Sequence, residues 1–161
     1  MGGFLQEYAK MIIAAIIGTF GYSQLFGVKR NRLSYACPGG ALSITVYFVC
    51  VHMGLSLLMQ NMIPAVVATL YAELMARYAK APATVFLMTS IIPLTPGSRL
   101  YYTMRAIVDG NRTQANEYGR ETLVIALGIA LGIVLVSLIF HQISRRKLSY
   151  RIRFDEDERR D

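Results

Sequence analysis

The uncharged stretch of residues 122–143 constrains the fold of this chain more than any other feature of its sequence. The 22 residues contain no Asp, Glu, Lys or Arg, and the basic residues Arg145, Arg146 and Lys147 follow them. As an α-helix the stretch would extend about 33 Å. The hydrocarbon core of a bilayer is about 30 Å thick. The stretch therefore predicts a transmembrane helix that ends in a basic cluster.

Four shorter apolar blocks precede this stretch, and nearly all charged residues lie between the blocks or at the ends of the chain. Of the 161 residues, 54% are hydrophobic and 17% are charged, whereas soluble domains are roughly 25% charged. We predict an all-α integral membrane protein, with one transmembrane domain over residues 1–144 and a charged tail over residues 145–161. The predicted transmembrane helices, about five in number, are residues 8–28, 40–59, 62–79, 82–96 and 122–143.

Local signals set several boundaries of these spans. Pro38 and the two glycines after it suit the entry of a helix better than its middle, so the second span is predicted to start near Gly40. A tight turn at Gln60 and Asn61 is expected to separate the second and third spans. After the fourth span, apolar residues recur at helical spacing opposite charged ones, which predicts a short amphipathic helix over residues 98–109 at a membrane interface.

Several classes of protein do not fit this sequence. The net charge of +7 comes from basic residues in connections and in the tail, so no binding of nucleic acid is expected. Cys37 and Cys50 are too far apart for a CxxC motif, and Cys50 is interpreted as a small apolar packing residue. His52 has no second ligand at suitable spacing in its helix and is interpreted as a buried hydrogen-bonding residue. We therefore expect no metal and no other cofactor.

Orientation follows from basic residues that flank the predicted spans in three places. These residues are Lys29, Arg30 and Arg32, then Arg77 and Lys80, and then Arg145, Arg146 and Lys147. With five crossings all three groups share one side of the membrane, which the positive-inside rule makes cytoplasmic. The amino terminus and the connection of residues 99–121 then lie outside, and the carboxy terminus lies inside. We expect a multi-pass protein in the lipid of the cell's inner or plasma membrane.

Residues 89–98 cannot form one regular helix. Pro93 and Pro96 lack N–H groups, which would leave the carbonyls of Thr89 and Ile92 without their helical donors. Thr95 is predicted as the N-cap of a new helix, with Pro96 at its first position. Free carbonyls, four hydroxyls and a helix amino terminus at membrane depth suit a zwitterionic or anionic small-molecule substrate. The predicted substrate path comprises Thr89, Ser90, Pro93, Thr95, Pro96, Gly97, Ser98, Arg99 and the intramembrane Glu73. The alternative is a simple proline kink that hydroxyls repair.

Two further pairs have helical spacing. Glu73 and Arg77, four residues apart, could pair as a gate or as an interfacial pair, and Glu73 is either on a solute path or only structural. Gly128 and Gly132 form a small-xxx-small pattern that lets two helices approach closely. Their partner helix is expected within the chain, in another subunit or in a second copy of a homo-oligomer.

A longer pattern resembles the threonine/serine exporter family. The matching residues are 81–87, then 91–98, Tyr101 and Met104, with further likeness at residues 26–30, Gly39 and Gly40, and Glu121 and Thr122. The chain looks like the short subunit of the split form of this family. The resemblance implies a hetero-oligomer with a larger membrane subunit that carries the other half and a soluble region. It also implies proton-coupled export of threonine, serine or small dicarboxylates.

The resulting hypothesis is one subunit of a secondary transporter that exports small polar solutes. Two alternatives come from other classes. A non-transporting scaffold or assembly subunit would require residues 93–98 to be only a kink. A membrane-embedded enzyme is less favoured, because the sequence contains no HExxH, no GxSxG and no paired intramembrane aspartates.

The orientation predicts which connections are reached from outside the cell. Single cysteines at Asn31 and Asn111, in a chain whose Cys37 and Cys50 are replaced by Ser, test it in intact cells. A membrane-impermeant thiol reagent should label position 111 and not position 31, because the basic connection lies in the cytoplasm. Labelling at position 31 and not at position 111 would mean that the predicted orientation is wrong.

Overall fold

The computed structural model describes the backbone of residues 2–25 and 30–157, and the side chains of residues 10–25 and 38–142. Within these ranges every regular element is helical, which confirms the all-α class. Residues 26–29 and the side chains of Cys37, Arg145, Arg146 and Lys147, on which some predictions depend, lie outside the described residues. The elements are α1 (Gly2–Leu25), α2 (Arg30–His52), α3 (Leu57–Ala79), α4 (Ala83–Ile91), a 3₁₀ turn (Ile92–Leu94), α5 (Gly97–Val108) and α6 (Arg112–Asp157).

Two of the described helices are long and apolar enough to cross a membrane. They are α3, with a mean hydropathy of 1.3, and the part of α6 over Arg112–Gln142, with a mean hydropathy of 3.0. Pro38–His52 and Ala83–Leu94 are shorter apolar helices. These helices support a membrane protein, while the number of five crossings stays a prediction.

Helix α3 occupies the centre of the described structure, because it packs against α2, α4 and α6. The cause is a stripe of small residues: Ala65, Ala68 and Ala72 recur three and four positions apart and are at most 1% exposed. Small side chains let neighbouring backbones approach closely. Helix α1 packs against α2 and α4, and α5 packs against α6.

The turn predicted at Gln60 and Asn61 is wrong, because both residues lie inside α3. The chain turns earlier, near Gly54, whose φ of +67° is a conformation that favours glycine. The two amides fit the helix because they donate to carbonyls of its entry: Gln60 Nε2 to Leu55 at 2.7 Å, and Asn61 Nδ2 to Leu57 at 2.8 Å. A polar pair in an apolar helix therefore does not by itself mark a turn.

The predicted helix entry at Pro38 and its glycines is also wrong, since α2 begins at Arg30 and contains Pro38. The apolar part of α2 is Pro38–His52, and the start of span two near Gly40 stays a prediction. Gly39 and Gly40 have a packing role instead. A methyl group on Gly39 would collide with the hydroxyl of Ser90 on α4, and one on Gly40 would collide with the hydroxyl of Thr19 on α1. The glycines thus bring α2 close to two neighbouring helices.

Helix α6 is longer than the predicted last span, because it starts at Arg112 and continues to Asp157. Its start is stabilised by Asn111, whose Oδ1 accepts a hydrogen bond from the backbone N–H of Gln114 at 3.2 Å. The preceding Gly110 has a φ of +70° and separates α5 from α6. The connection expected between the amphipathic helix and the last span is therefore helical for most of its length.

Gly128 and Gly132 place α6 directly on the backbone of α3. A Cβ atom on Gly128 would lie 2.7 Å from the carbonyl oxygen of Leu58, and one on Gly132 would lie 2.7 Å from that of Met62. These distances are shorter than van der Waals contact. The partner helix of this small-xxx-small pattern is α3 of the same chain.

This contact predicts that Gly128→Ala and Gly132→Ala each destabilise the protein by about 1–3 kcal/mol, the usual cost of forcing a methyl group into a packed interior. Gly119→Ala is the matched control on the same helix, because its Cβ would lie an acceptable 3.5 Å from Thr103 Cγ2. Thermal unfolding of the purified variants measures the difference. Equal melting temperatures for all three variants would contradict the close contact.

Candidate functional site

The α-helical conformation of α4 ends at Ile91, before the two prolines Pro93 and Pro96. Residues Ile92–Leu94 form a 3₁₀ turn, Thr95 is extended, and α5 begins at Gly97. The carbonyl of Ile92, whose helical donor Pro96 removes, accepts the backbone N–H of Thr95 at 3.1 Å. The break therefore rearranges the hydrogen bonds of the backbone and is more than a bend.

The N-cap of α5 is Pro96, one residue later than the predicted Thr95, and no side chain caps this helix. The reason lies in the backbone, because the N–H of Gly97 donates to the carbonyl of Thr95 at 2.8 Å. The first α-helical bond of α5 then runs from the N–H of Leu100 to the carbonyl of Pro96, at 3.0 Å. The Thr95 hydroxyl is left for other partners.

A cavity of about 420 Å³ lies beside the break, within the usual size range of small-molecule sites. Five residues of the predicted substrate path line it, namely Pro93, Thr95, Pro96, Ser98 and Arg99. The other described lining residues are Met11, Ile44, Tyr47, Val51, Leu57, Gln60, Asn61, Leu94 and Ile125. A more apolar cavity of about 290 Å³ adjoins it and shares Met11, Ile44 and Pro93.

The remaining residues of the predicted path do not line the larger cavity. Thr89 and Ser90 are fully buried. The Thr89 hydroxyl donates to the carbonyl of Phe86 at 3.0 Å, and the carbonyl of Ser90 accepts the Ser43 hydroxyl of α2 at 2.6 Å. Gly97 is exposed in the first turn of α5. These three residues build the break and its packing rather than the cavity wall.

Glu73 lies on α3, away from this cavity, and it forms no ion pair with Arg77 among the described residues. The guanidinium of Arg77 lies instead over the ring of Phe140 on α6, 4.8 Å from its centroid. A cation over an aromatic face is a favourable alternative to an ion pair. His52, expected to be buried, is exposed.

Sequence reasoning missed three polar residues of the cavity, Tyr47, Gln60 and Asn61, of which Asn61 is only 2% exposed. One signal was available. Pro64 lies four residues after Gln60 and lacks the N–H that would bond to the Gln60 carbonyl. Residues 60–64 and residues 89–96 share one pattern: polar side chains in an apolar helix precede a proline that removes a backbone N–H donor.

The electrostatics of the site centre on Arg99, the charged residue among the described lining residues. Its Nη1 lies 2.9 Å from Glu121 Oε2 on α6, and its guanidinium carbon lies 5.8 Å from the centroid of the Tyr118 ring. Oε2 of Glu121 is buried, and the contact is an ion pair by distance without the alignment of a hydrogen bond. Arg99 thus contacts α6 while it lines the cavity.

The sequence matches one known family over most of its length. Residues 11–139 match the family described as Threonine/Serine exporter, ThrE. The chain belongs to the threonine/serine exporter family. The match includes every described residue that lines the larger cavity. No solved structure matches the chain.

Family membership confirms the resemblance seen in the sequence. It supports a membrane protein of the transporter type and argues against an enzyme. In this exporter-family chain the cavity combines one guanidinium, the hydroxyls of Thr95 and Ser98, and two side-chain amides. Such groups bind a small polar molecule by hydrogen bonds and charge, and they include no nucleophile activated by a neighbouring base.

If water reaches the cavity, cysteines introduced at its walls should react selectively, because a thiol reacts as the thiolate, which forms where water enters. In a chain without Cys37 and Cys50, Ser98→Cys and Gln60→Cys should react with a small charged thiol reagent. Thr89→Cys, at a fully buried position beside the break, is the matched control and should not react. Mass spectrometry of the purified variants measures the modification, and equal protection of all three would mean that no water reaches the cavity.

Proposed function

We propose that this chain is the small subunit of a secondary transporter that exports small polar solutes, either threonine- and serine-type amino acids or small dicarboxylates. The observation that carries the proposal is the polar cavity at the proline break, because irregular backbone at membrane depth persists only beside protein, water or ligand. In transporters such breaks mark the substrate site. Membership of the exporter family supports the same direction.

The polarity of the cavity walls supports a solute that carries a carboxylate. On the α5 side, Arg99 offers several N–H donors, and the Ser98 hydroxyl lies beside it in the first turn, where the positive end of the helix dipole also favours an anion. On the α3 side, Gln60 and Asn61 use N–H groups for their own helix. Their amide oxygens can accept from an ammonium or hydroxyl group. A small amino acid has both kinds of group.

The proposal includes an orientation, a partner and an energy source. The basic flanks favour a protein of the cell's inner membrane, with its amino terminus outside the cell and its carboxy terminus in the cytoplasm. Large apolar side chains of α6, such as Leu123 and Leu127, are more than half exposed and would face lipid or another subunit. The resemblance to the split form of the family supports a larger membrane subunit as the partner and a proton gradient as the driving force.

Uptake of labelled threonine into inverted membrane vesicles tests the proposal, with vesicles that contain the chain alone and together with the larger subunit. Saturable uptake that needs this chain and a proton gradient is expected. A chain that assembles but adds nothing to the flux of threonine, serine or a dicarboxylate would be a scaffold subunit.

Variants at the break should lower this uptake unequally. Replacing Pro93 and Pro96 together by Ala restores two N–H donors and a continuous helix, so nearly complete loss is expected. Ser98→Ala removes one hydrogen bond worth about 1 kcal/mol, so apparent affinity should fall several-fold. Pro82→Ala, an exposed proline before α4 and outside the cavity, is the matched control.

Only variants present in the membrane at wild-type amounts are compared. Wild-type uptake by the double proline variant would mean that the break is only a kink. Loss of uptake by the Pro82 variant would mean that proline replacement in this region acts through assembly.

A further inference from the structure

Arg99 belongs to two contacts at once, and the second was not expected from the sequence. It lines the cavity, and it pairs with Glu121 of α6 at 2.9 Å. The side chains of Arg99 and Glu121 are 44% and 28% exposed, so the pair is partly screened by solvent. An ion pair of this kind adds little to stability. Its position beside the cavity therefore needs another explanation.

The surroundings of Arg99 fix the direction of its guanidinium. Its planar group lies beside the ring of Tyr118, and that ring contacts the ring of Tyr102 on α5, with centroids 5.7 Å apart. A guanidinium has five N–H donors, and the Nη1 of Arg99 approaches Glu121. One carboxylate cannot use all five donors, so Arg99 can also bind an anionic group in the cavity.

We infer that Glu121 is a specificity-determining residue, which balances the charge of Arg99 so that the cavity selects a zwitterion over a dianion. This inference rests on the proposed function and narrows its solute class. Arg99 and Glu121 together carry no net charge, and Arg99 is the charged residue among the described lining residues. A solute with one carboxylate and one ammonium group matches such a site. A dicarboxylate would bring a second negative charge close to Glu121, which is unfavourable.

A second ion pair lies at the carboxy-terminal end of the same helix, away from the cavity. Arg105 and Asp109, four residues apart on α5, are separated by 3.6 Å, and both side chains are more than 60% exposed. Neither lines the cavity. Both pairs join an arginine of α5 to a carboxylate. Arg99 of the first pair lines the cavity and neither member of the second pair does, so the second pair is the control.

The test compares competition by two unlabelled solutes against labelled threonine, with inverted vesicles that contain the complete transporter. In the wild type, threonine should compete well and succinate poorly. Glu121→Gln keeps an acceptor oxygen beside Arg99 and removes the negative charge. Succinate should then compete about tenfold better, while the half-saturating concentration of threonine changes by less than about threefold. Asp109→Asn should leave the ratio of the two solutes unchanged.

A charge swap separates selection from structure. Arg99→Glu combined with Glu121→Arg restores an ion pair between α5 and α6 but moves the guanidinium away from its place at the break. In this double variant the membrane abundance and the melting temperature should equal those of the wild type, while threonine should compete only weakly.

Three outcomes would overturn the inference. These are an unchanged ratio of solutes in Glu121→Gln, an equal change of that ratio in Asp109→Asn, and full recovery of threonine competition in the charge swap. Absence of saturable threonine uptake by the wild type would instead contradict the proposed function. In that case, thermal stabilisation of the purified protein by threonine and by succinate measures the ratio of the two affinities by binding alone.

Discussion

The conformation of residues 89–97 depends on one constraint: a backbone carbonyl inside a bilayer needs a donor from protein or from water. Pro93 and Pro96 remove the donors that a continuous helix would give to Thr89 and Ile92. In the structure the backbone N–H of Thr95 donates to the freed carbonyl of Ile92 within a 3₁₀ turn, and the Ser43 hydroxyl of α2 donates to the carbonyl of Ser90, the residue after Thr89. The cavity lies against the same segment.

Two pairs of glycines allow neighbouring helices to approach closely, and the two pairs contact different chemical groups. Gly128 and Gly132 lie close to backbone carbonyl and N–H groups of α3 and to the Cβ atoms of Asn61 and Ala65. Gly39 and Gly40 meet hydroxyl groups, and the hydroxyls of Thr19 and Ser90 are buried without a hydrogen-bond partner. An unsatisfied buried hydroxyl costs about 1–3 kcal/mol. The contact of α2 with α1 and α4 therefore includes two unpaired hydroxyls, and the contact of α3 with α6 at the glycines is between backbones.

The all-α class and the break were predictable because each depends on a local property of the chain: apolar length for the helices, and missing N–H groups for the break. The same reasoning gave wrong boundaries for α2 and α3. It used Gly39 and Gln60 as local signals, whereas a neighbouring helix determines the role of Gly39 and the carbonyls of the preceding turn satisfy Gln60. Tertiary contact was not visible in either pattern.

The candidate site was predictable to the same extent. Six residues between 93 and 99 were predicted because they lie at the break itself, and five of these six line the cavity. Glu121 and Asn61 were missed because they come from other helices, and only the packing of those helices shows which side chains face the break. Glu73 shows the converse case. Its charge in an apolar stretch suggested the solute path, but it lies away from this cavity.

The register of α6 connects the site to the close contact between α6 and α3. Glu121, Ile125, Gly128 and Gly132 are separated by four, three and four residues, so they share one face of the helix. That face pairs with Arg99 at one end, lines the cavity at Ile125 and contacts α3 at the glycines. Because the glycines fix α6 on α3, they also fix the height of Glu121 beside the break. The position of the guanidinium at the cavity thus depends on a helix contact more than one turn away.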